Sequence, residues 1–141
     1  MDLRVLILTG DVGLSELVRA QVENLGCSCS IQASYDAAEA SIGWADAAII
    51  DLVGDGLDDL NRLRVEAPRV RVLAIAPDAA LGDSARSSGS VQVLVEPFAI
   101  SSLVDAVRAL GPNTDALVVD LRTGQVTAAP AAAEAPWWAT R

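Results

Sequence analysis

Apolar residues fall along this chain in two rhythms. Continuous runs occupy Leu3 to Leu8, Val70 to Ala76 and Val91 to Val95, each broken by a single arginine or glutamine. A further run, Ala47-Ala48-Ile49-Ile50-Asp51-Leu52-Val53, carries one charged residue near its carboxyl end. Runs of this length and composition predict strands buried on both faces, as in a parallel sheet. Cys27 to Ala33 alternates loosely and predicts another strand, second in chain order.

Between the runs the period changes. From Val12 onward, Leu14, Leu17, Val18, Val22 and Leu25 fall at helical spacing, and Gly26 stops the segment as a carboxyl-side glycine does. Leu57, Leu60 and Leu63 predict an inward helix face that Pro68 ends, and Ile100, Leu103, Val104, Val107 and Leu110 predict another, closed by Gly111-Pro112. Asp36 with Glu39 reads as a capping box for a short alanine-rich helix ending near Gly43. Residues 78–90 contain Gly82, Ser84, Ser87, Ser88 and Gly89 with few apolar anchors, so their helix is expected to be short or mobile.

Five strands, each followed by a helix, predict an α/β domain over residues 1–111. The expected form is a five-stranded parallel sheet with right-handed crossovers and helices on both faces, a doubly wound three-layer sandwich. Residues 112–141 read as a carboxyl-terminal extension. Its first part, about 115–128, has the pattern of a small hairpin turning at Thr123-Gly124. Its tail, 129–141, is rich in Ala and Pro and carries Trp137 and Trp138, which would serve as anchors for a partner or dock back on their own domain.

Composition narrows the chemistry. At 141 residues and 52% hydrophobic, the chain can bury a substantial core. Its apolar runs are far shorter than the ~20 residues of a membrane span, and Met1-Asp2-Leu3-Arg4 lacks the zones of a signal peptide, so no membrane association and a cytoplasmic location are expected. A net charge of −9 opposes direct binding to nucleic acid. All ten basic residues are arginines, with no lysine or histidine. That removes imidazole bases, histidine metal sites, Schiff-base lysines and any P-loop. Cys27 and Cys29 would share one strand face and are expected to be buried as small hydrophobes, since two cysteines alone complete no zinc site.

In open parallel sheets, chemistry lies outside the carboxyl ends of the strands. There the chain places Thr9, Gly10, Asp11, Asp51, Ala76 and Glu96, and these form the candidate site. Asp51 alone could equally cap the loop that follows its strand.

The order of these segments resembles the receiver domain of bacterial response regulators, with a flavodoxin-like or CheY-like fold, over about residues 3–110. The resemblance is carried by the strand ending in Asp51, the Gly-containing loop and Leu-rich helix after it, and Val95-Glu96-Pro97-Phe98, which is similar to that family's Lys-Pro-Phe segment. It implies that Asp51 occupies the phosphoacceptor position.

The rest of the family's pocket is changed. The acidic pair that would hold Mg²⁺ aligns with Thr9 and Gly10, and Asp11 falls one place later, suited to capping the first helix or to leaning toward a metal. The switch hydroxyl is Ala76, the switch aromatic is Val93, and the lysine is Glu96. A carboxylate at Glu96 facing Asp51 would repel it by about 1–4 kcal/mol at ~4 Å. The resemblance therefore implies an atypical receiver, or pseudo-receiver. Such a domain would not be an enzyme and would have no cofactor or metal. It would act in signalling through a protein partner, such as a histidine kinase or an output protein, or as a homodimer, without depending on Asp phosphorylation.

Two other readings stay open. In the first, Asp11 and Asp51 hold Mg²⁺ and a histidine kinase phosphorylates Asp51. In the second, Ala116 to Leu121 with Val126 is similar to the opening hairpin of the winged-helix domain of OmpR-type regulators, and the chain is the receiver part of such a transcriptional regulator.

Overall fold

A computed structural model describes residues 3–90 and 92–111. The chain divides after Leu110, and the fold described is that of the first unit. The expected hairpin over 115–128, the tail with Trp137 and Trp138, and the start of the fifth strand at Val91 lie outside the described residues.

Ten elements alternate along the unit. They are β1 (Arg4–Leu8), α1 (Val12–Asn24), β2 (Ser28–Gln32), α2 (Tyr35–Ile42), β3 (Ala47–Asp51), α3 (Gly56–Glu66), β4 (Arg71–Ala76), α4 (Ala79–Ser87), β5 (Gln92–Val95) and α5 (Ile100–Arg108). The strands form one sheet in the order β2-β1-β3-β4-β5, every pairing parallel. This is the doubly wound α/β fold expected from the pattern.

Side-chain alternation along each strand splits the core in two. Leu6, Leu8, Ala48, Ile50, Val72, Ala74 and Ala76 face Tyr35, Leu60, Leu63 and Ala85 of α2, α3 and α4. Val5, Ile7, Ala47, Ile49, Leu73 and Ile75 face Val18, Val22, Leu103 and Val107 of α1 and α5. Strands covered on both sides need apolar residues at every position, which is why β3 and β4 read as unbroken runs.

Four local expectations change. The run from Ala47 keeps strand geometry only to Asp51, although Leu52 still donates its N–H to the Ile75 carbonyl at 2.9 Å. The cap of α2 is Ser34, whose side chain accepts from the Ala37 N–H, so Asp36 and Glu39 form no capping box and their carboxylates turn to Arg62 instead. The segment poor in apolar anchors makes a nine-residue α4, capped by Asp78 on the Leu81 N–H and buried through Gly82 and Ala85 rather than through large side chains. On α5 the inward residues are Leu103, Ala106 and Val107, with Leu110 buried just beyond its end, while Ile100 at the first turn is 44% exposed.

Cys27 is buried just before β2, and Cys29 packs against the same cluster while remaining partly open. Burial raises the pKa of both thiols, and the neighbouring Glu23 carboxylate raises that of Cys29 further. No helix among the described residues is long and apolar enough to cross a membrane.

Candidate functional site

Parallel pairing brings the carboxyl ends of β1 and β3 side by side, because Leu8 is in register with Ile50. One residue further on, the Thr9 hydroxyl donates to Asp51 Oδ2 at 2.8 Å. The same hydroxyl oxygen accepts the Asp11 N–H at 3.0 Å. The other Asp51 oxygen, Oδ1, accepts the Val53 N–H at 3.1 Å. The carboxylate is thus held at both oxygens by groups of its own domain.

The Asp11 side chain makes its hydrogen bond elsewhere. It is the amino-terminal cap of α1, with Oδ1 accepting the Leu14 N–H at 3.1 Å. Gly10 is exposed, and an added Cβ there would meet nothing within 4 Å. Gly56 is the opposite case. A Cβ on it would lie 2.1 Å from the Asp51 carbonyl oxygen, so α3 starts in direct backbone contact with the end of β3.

A polar depression of about 200 Å³ opens beside Asp51. Of the expected site residues it brings together Thr9, Gly10 and Asp51; Asp11, Ala76 and Glu96 do not line it. Ala76 is fully buried in the core. Glu96 is exposed, its N–H donating to the Ala76 carbonyl at 2.8 Å. Glu96 thus does not share the depression with Asp51, whose oxygens are engaged by Thr9 and Val53. Val93 is half-buried and packs on the cluster beneath α4.

The depression also holds residues not singled out from the sequence: Tyr35 and Asp36 from the start of α2, and Asp55, Asp59 and Arg62 from α3. The signal that would have found the last three is their spacing, since positions three and four apart share one helix face. Burial pushes the Asp59 carboxyl above the usual range, and the nearby Asp55 pushes it further.

Arg62 stands between the two helices. Its guanidinium lies 4.2 Å from the centre of the Tyr35 ring and pairs with Asp36 at 2.8 Å, Glu39 at 3.7 Å and Glu66 at 3.8 Å. The Tyr35 hydroxyl donates to Glu66 Oε1 at 2.6 Å. Burial, followed by that bond to Glu66, pushes the phenol up to about 12.

The divalent cation implied by the receiver resemblance does not suit this donor set. Asp11 is committed to the helix cap and a threonine hydroxyl occupies Asp51 Oδ2. Among the described residues no three Asp, Glu, Cys or His side chains are grouped to hold a metal ion.

No family model and no curated protein matches the chain. Solved structures do. NtrX from Brucella abortus superposes with a TM-score of 0.72 at 21% identity over 78% of this chain, which spans 26% of the length of that NtrX chain. The receiver domain of the same NtrX gives a TM-score of 0.70 at 20% identity, over 75% of this chain and 96% of its own. The fold is the receiver fold. A CheY-like response-regulator receiver domain protein from Methanospirillum hungatei agrees, with a TM-score of 0.68 at 16% identity over 77% of this chain and 92% of that one. In a receiver fold, the end of β3 next to the end of β1 is where Asp51 and Thr9 stand.

Proposed function

We propose that this chain is an atypical receiver domain that works in signalling as a protein-interaction module, with no dependence on phosphorylation of Asp51. The observation that carries the reading is the 2.8 Å bond from Thr9 to Asp51 Oδ2. A hydroxyl satisfies that oxygen where phosphoryl transfer to a carboxylate would need a cation to gather charge. Ala76 offers no hydroxyl to read a phosphoryl group, and Glu96 offers no cation to pair with one. The domain then needs no resident cofactor and performs no catalysis of its own. Its partner is a protein, either a kinase, an output protein or a second copy, and the face formed by α4, β5 and α5 is the surface we assign to it.

The test is a titration with Mg²⁺ to about 10 mM, then with beryllofluoride, followed by amide NMR. The expected result is no saturable shift near Asp51, Asp11 or Glu96. Saturable shifts spreading from Asp51 into α4 and α5 would overturn the reading and establish a phosphorylation switch on Asp51. A rebuilt variant, Thr9→Asp with Gly10→Asp and Glu96→Lys, serves as the positive control. The open space at Gly10 accepts the new side chain, and this variant should gain the Mg²⁺-dependent shifts.

A further inference from the structure

Two features hold α4 and β5 in place, and neither touches the Asp51 side chain. The first is Gly82, in the middle of α4. A Cβ there would lie 3.2 Å from Val93 Cγ1, 3.2 Å from Val95 Cγ2 and 3.8 Å from Ala76 Cβ. The helix backbone rests directly on the side chains of β4 and β5, so close that a Cβ there would require Val93 and Val95 to give way.

The second feature is at the opposite edge of the sheet. Arg64, in the last turn of α3, runs its aliphatic stem beneath the turn between α4 and β5. Its Cδ lies 2.9 Å from where a Cβ on Gly89 would stand, and Gly89 itself has a φ of +98°. The guanidinium donates to the carbonyl oxygens of Ala67 and Pro68 at 3.3 Å each, of Val70, and of Gly89 at 3.5 Å. Next to it the Ser90 hydroxyl donates to the Val72 carbonyl at 3.1 Å. One cation thus joins the end of α3, the approach to β4 and the end of α4. Its Nε is buried without a partner, and burial lowers the guanidinium below the ordinary arginine value. The planar fork lets this single side chain reach carbonyls from two separate turns.

We propose that Arg64 is a positioning residue for the α4–β5 part of the face formed by α4, β5 and α5, fixing it from the amino edge of the sheet so that its geometry is independent of Asp51. The use of that face for docking rests on the interaction reading above; the fixed geometry does not.

Hydrogen exchange on the full chain separates the two. Arg64→Met keeps the apolar stem and removes the fork, and should speed amide exchange by about tenfold or more over residues 79–95 while leaving 4–8 and 47–51 unchanged. Arg64→Lys should recover little of the protection, since an ammonium cannot span both turns. Asp51→Asn should leave residues 79–95 as in the parent. Uniform acceleration across the sheet, no acceleration, or the same local response in Asp51→Asn would each overturn the proposal. Should Arg64→Met fail to fold, Arg64→Lys carries the test alone. It should speed exchange over 79–95 while leaving 4–8 and 47–51 unchanged, and silence over 79–95 would overturn the proposal equally. Mg²⁺ or beryllofluoride binding by the parent protein would remove the phosphorylation-independent reading while leaving these exchange results to stand or fall alone.

Discussion

At the amino edge of the sheet, Arg4 closes on Asp46 at 3.2 Å while Arg64 and Arg69 reach main-chain carbonyls at the ends of α3 and α2. At the carboxyl edge, Asp51, Asp55 and Asp59 share one depression with Arg62. The two edges belong to the same strands, yet the first spends Arg64 and Arg69 on backbone carbonyls and Arg4 on a single carboxylate, while the second gathers several carboxylates. Changes at the amino edge should register as stability or as position of the elements joined there. Changes at the carboxyl edge should register first in the site, unless they touch the backbone contacts that shape it.

The contact at Gly56 gives the largest expected effect. A Cβ 2.1 Å from the Asp51 carbonyl oxygen and 2.8 Å from its carbon meets backbone, which no rotamer change relieves. Gly56→Ala should cost about 3 kcal/mol or more in urea unfolding. A loss below ~1 kcal/mol would mean that the start of α3 moves freely and that the backbone does not define the depression.

Thr9→Val comes next. It leaves Asp51 Oδ2 without its donor and the Asp11 N–H without its acceptor, for an expected loss of about 1–2 kcal/mol. Thr9→Ser should retain most of the stability, and a loss from Thr9→Ser with none from Thr9→Val would assign the effect to the methyl group rather than the hydroxyl.

The smallest effect belongs to the amino edge. Asp46→Asn breaks an exposed pair with Arg4, for a loss under about 1 kcal/mol that added salt reduces further. The Arg4 hydrogen bond holds the Asp46 carboxyl below its ordinary value. A carboxyl with a lowered folded value stabilises the fold above its unfolded value, and the gain is lost as the pH falls through the folded one. The difference between parent and Asp46→Asn should accordingly vanish in acid. An Asp46→Asn loss larger than that of Thr9→Val would reverse the contrast between the edges.

The sheet was readable from the sequence because β3 and β4 are covered on both faces and carry apolar residues almost without interruption. Thr9, Gly10 and Asp51 were readable for a related reason, since chain ends of adjacent parallel strands must meet. What escaped was set by tertiary packing. Tyr35, Asp36 and Arg62 come together only because α2 and α3 cross the sheet side by side, and no period in either helix announces that meeting. Ile100 fitted the helical spacing of α5 but lies at its first turn, beyond the reach of the sheet, and Ala106 took the inward place instead. Glycine in α4 looked like weakness and proved to be the contact surface, because a close approach needs an absent side chain.

The strand order has a consequence for how the chain is made. β1 pairs with β2 through Arg4 and Ser28, and with β3 through Val5 and Ala47. Among the described residues no strand pairs antiparallel with its successor, so no hairpin can start the sheet and every pairing closes over an intervening helix. As the nascent chain leaves the ribosome, Val5 to Leu8 emerge before the other strands of this sheet and acquire one neighbour early. Their other edge stays open until Ala47 to Asp51 have been synthesised. A chain arrested between Gln32 and Ala47 would therefore present an apolar strand with an unpaired edge, the form most prone to join its own copies or to be held by a chaperone.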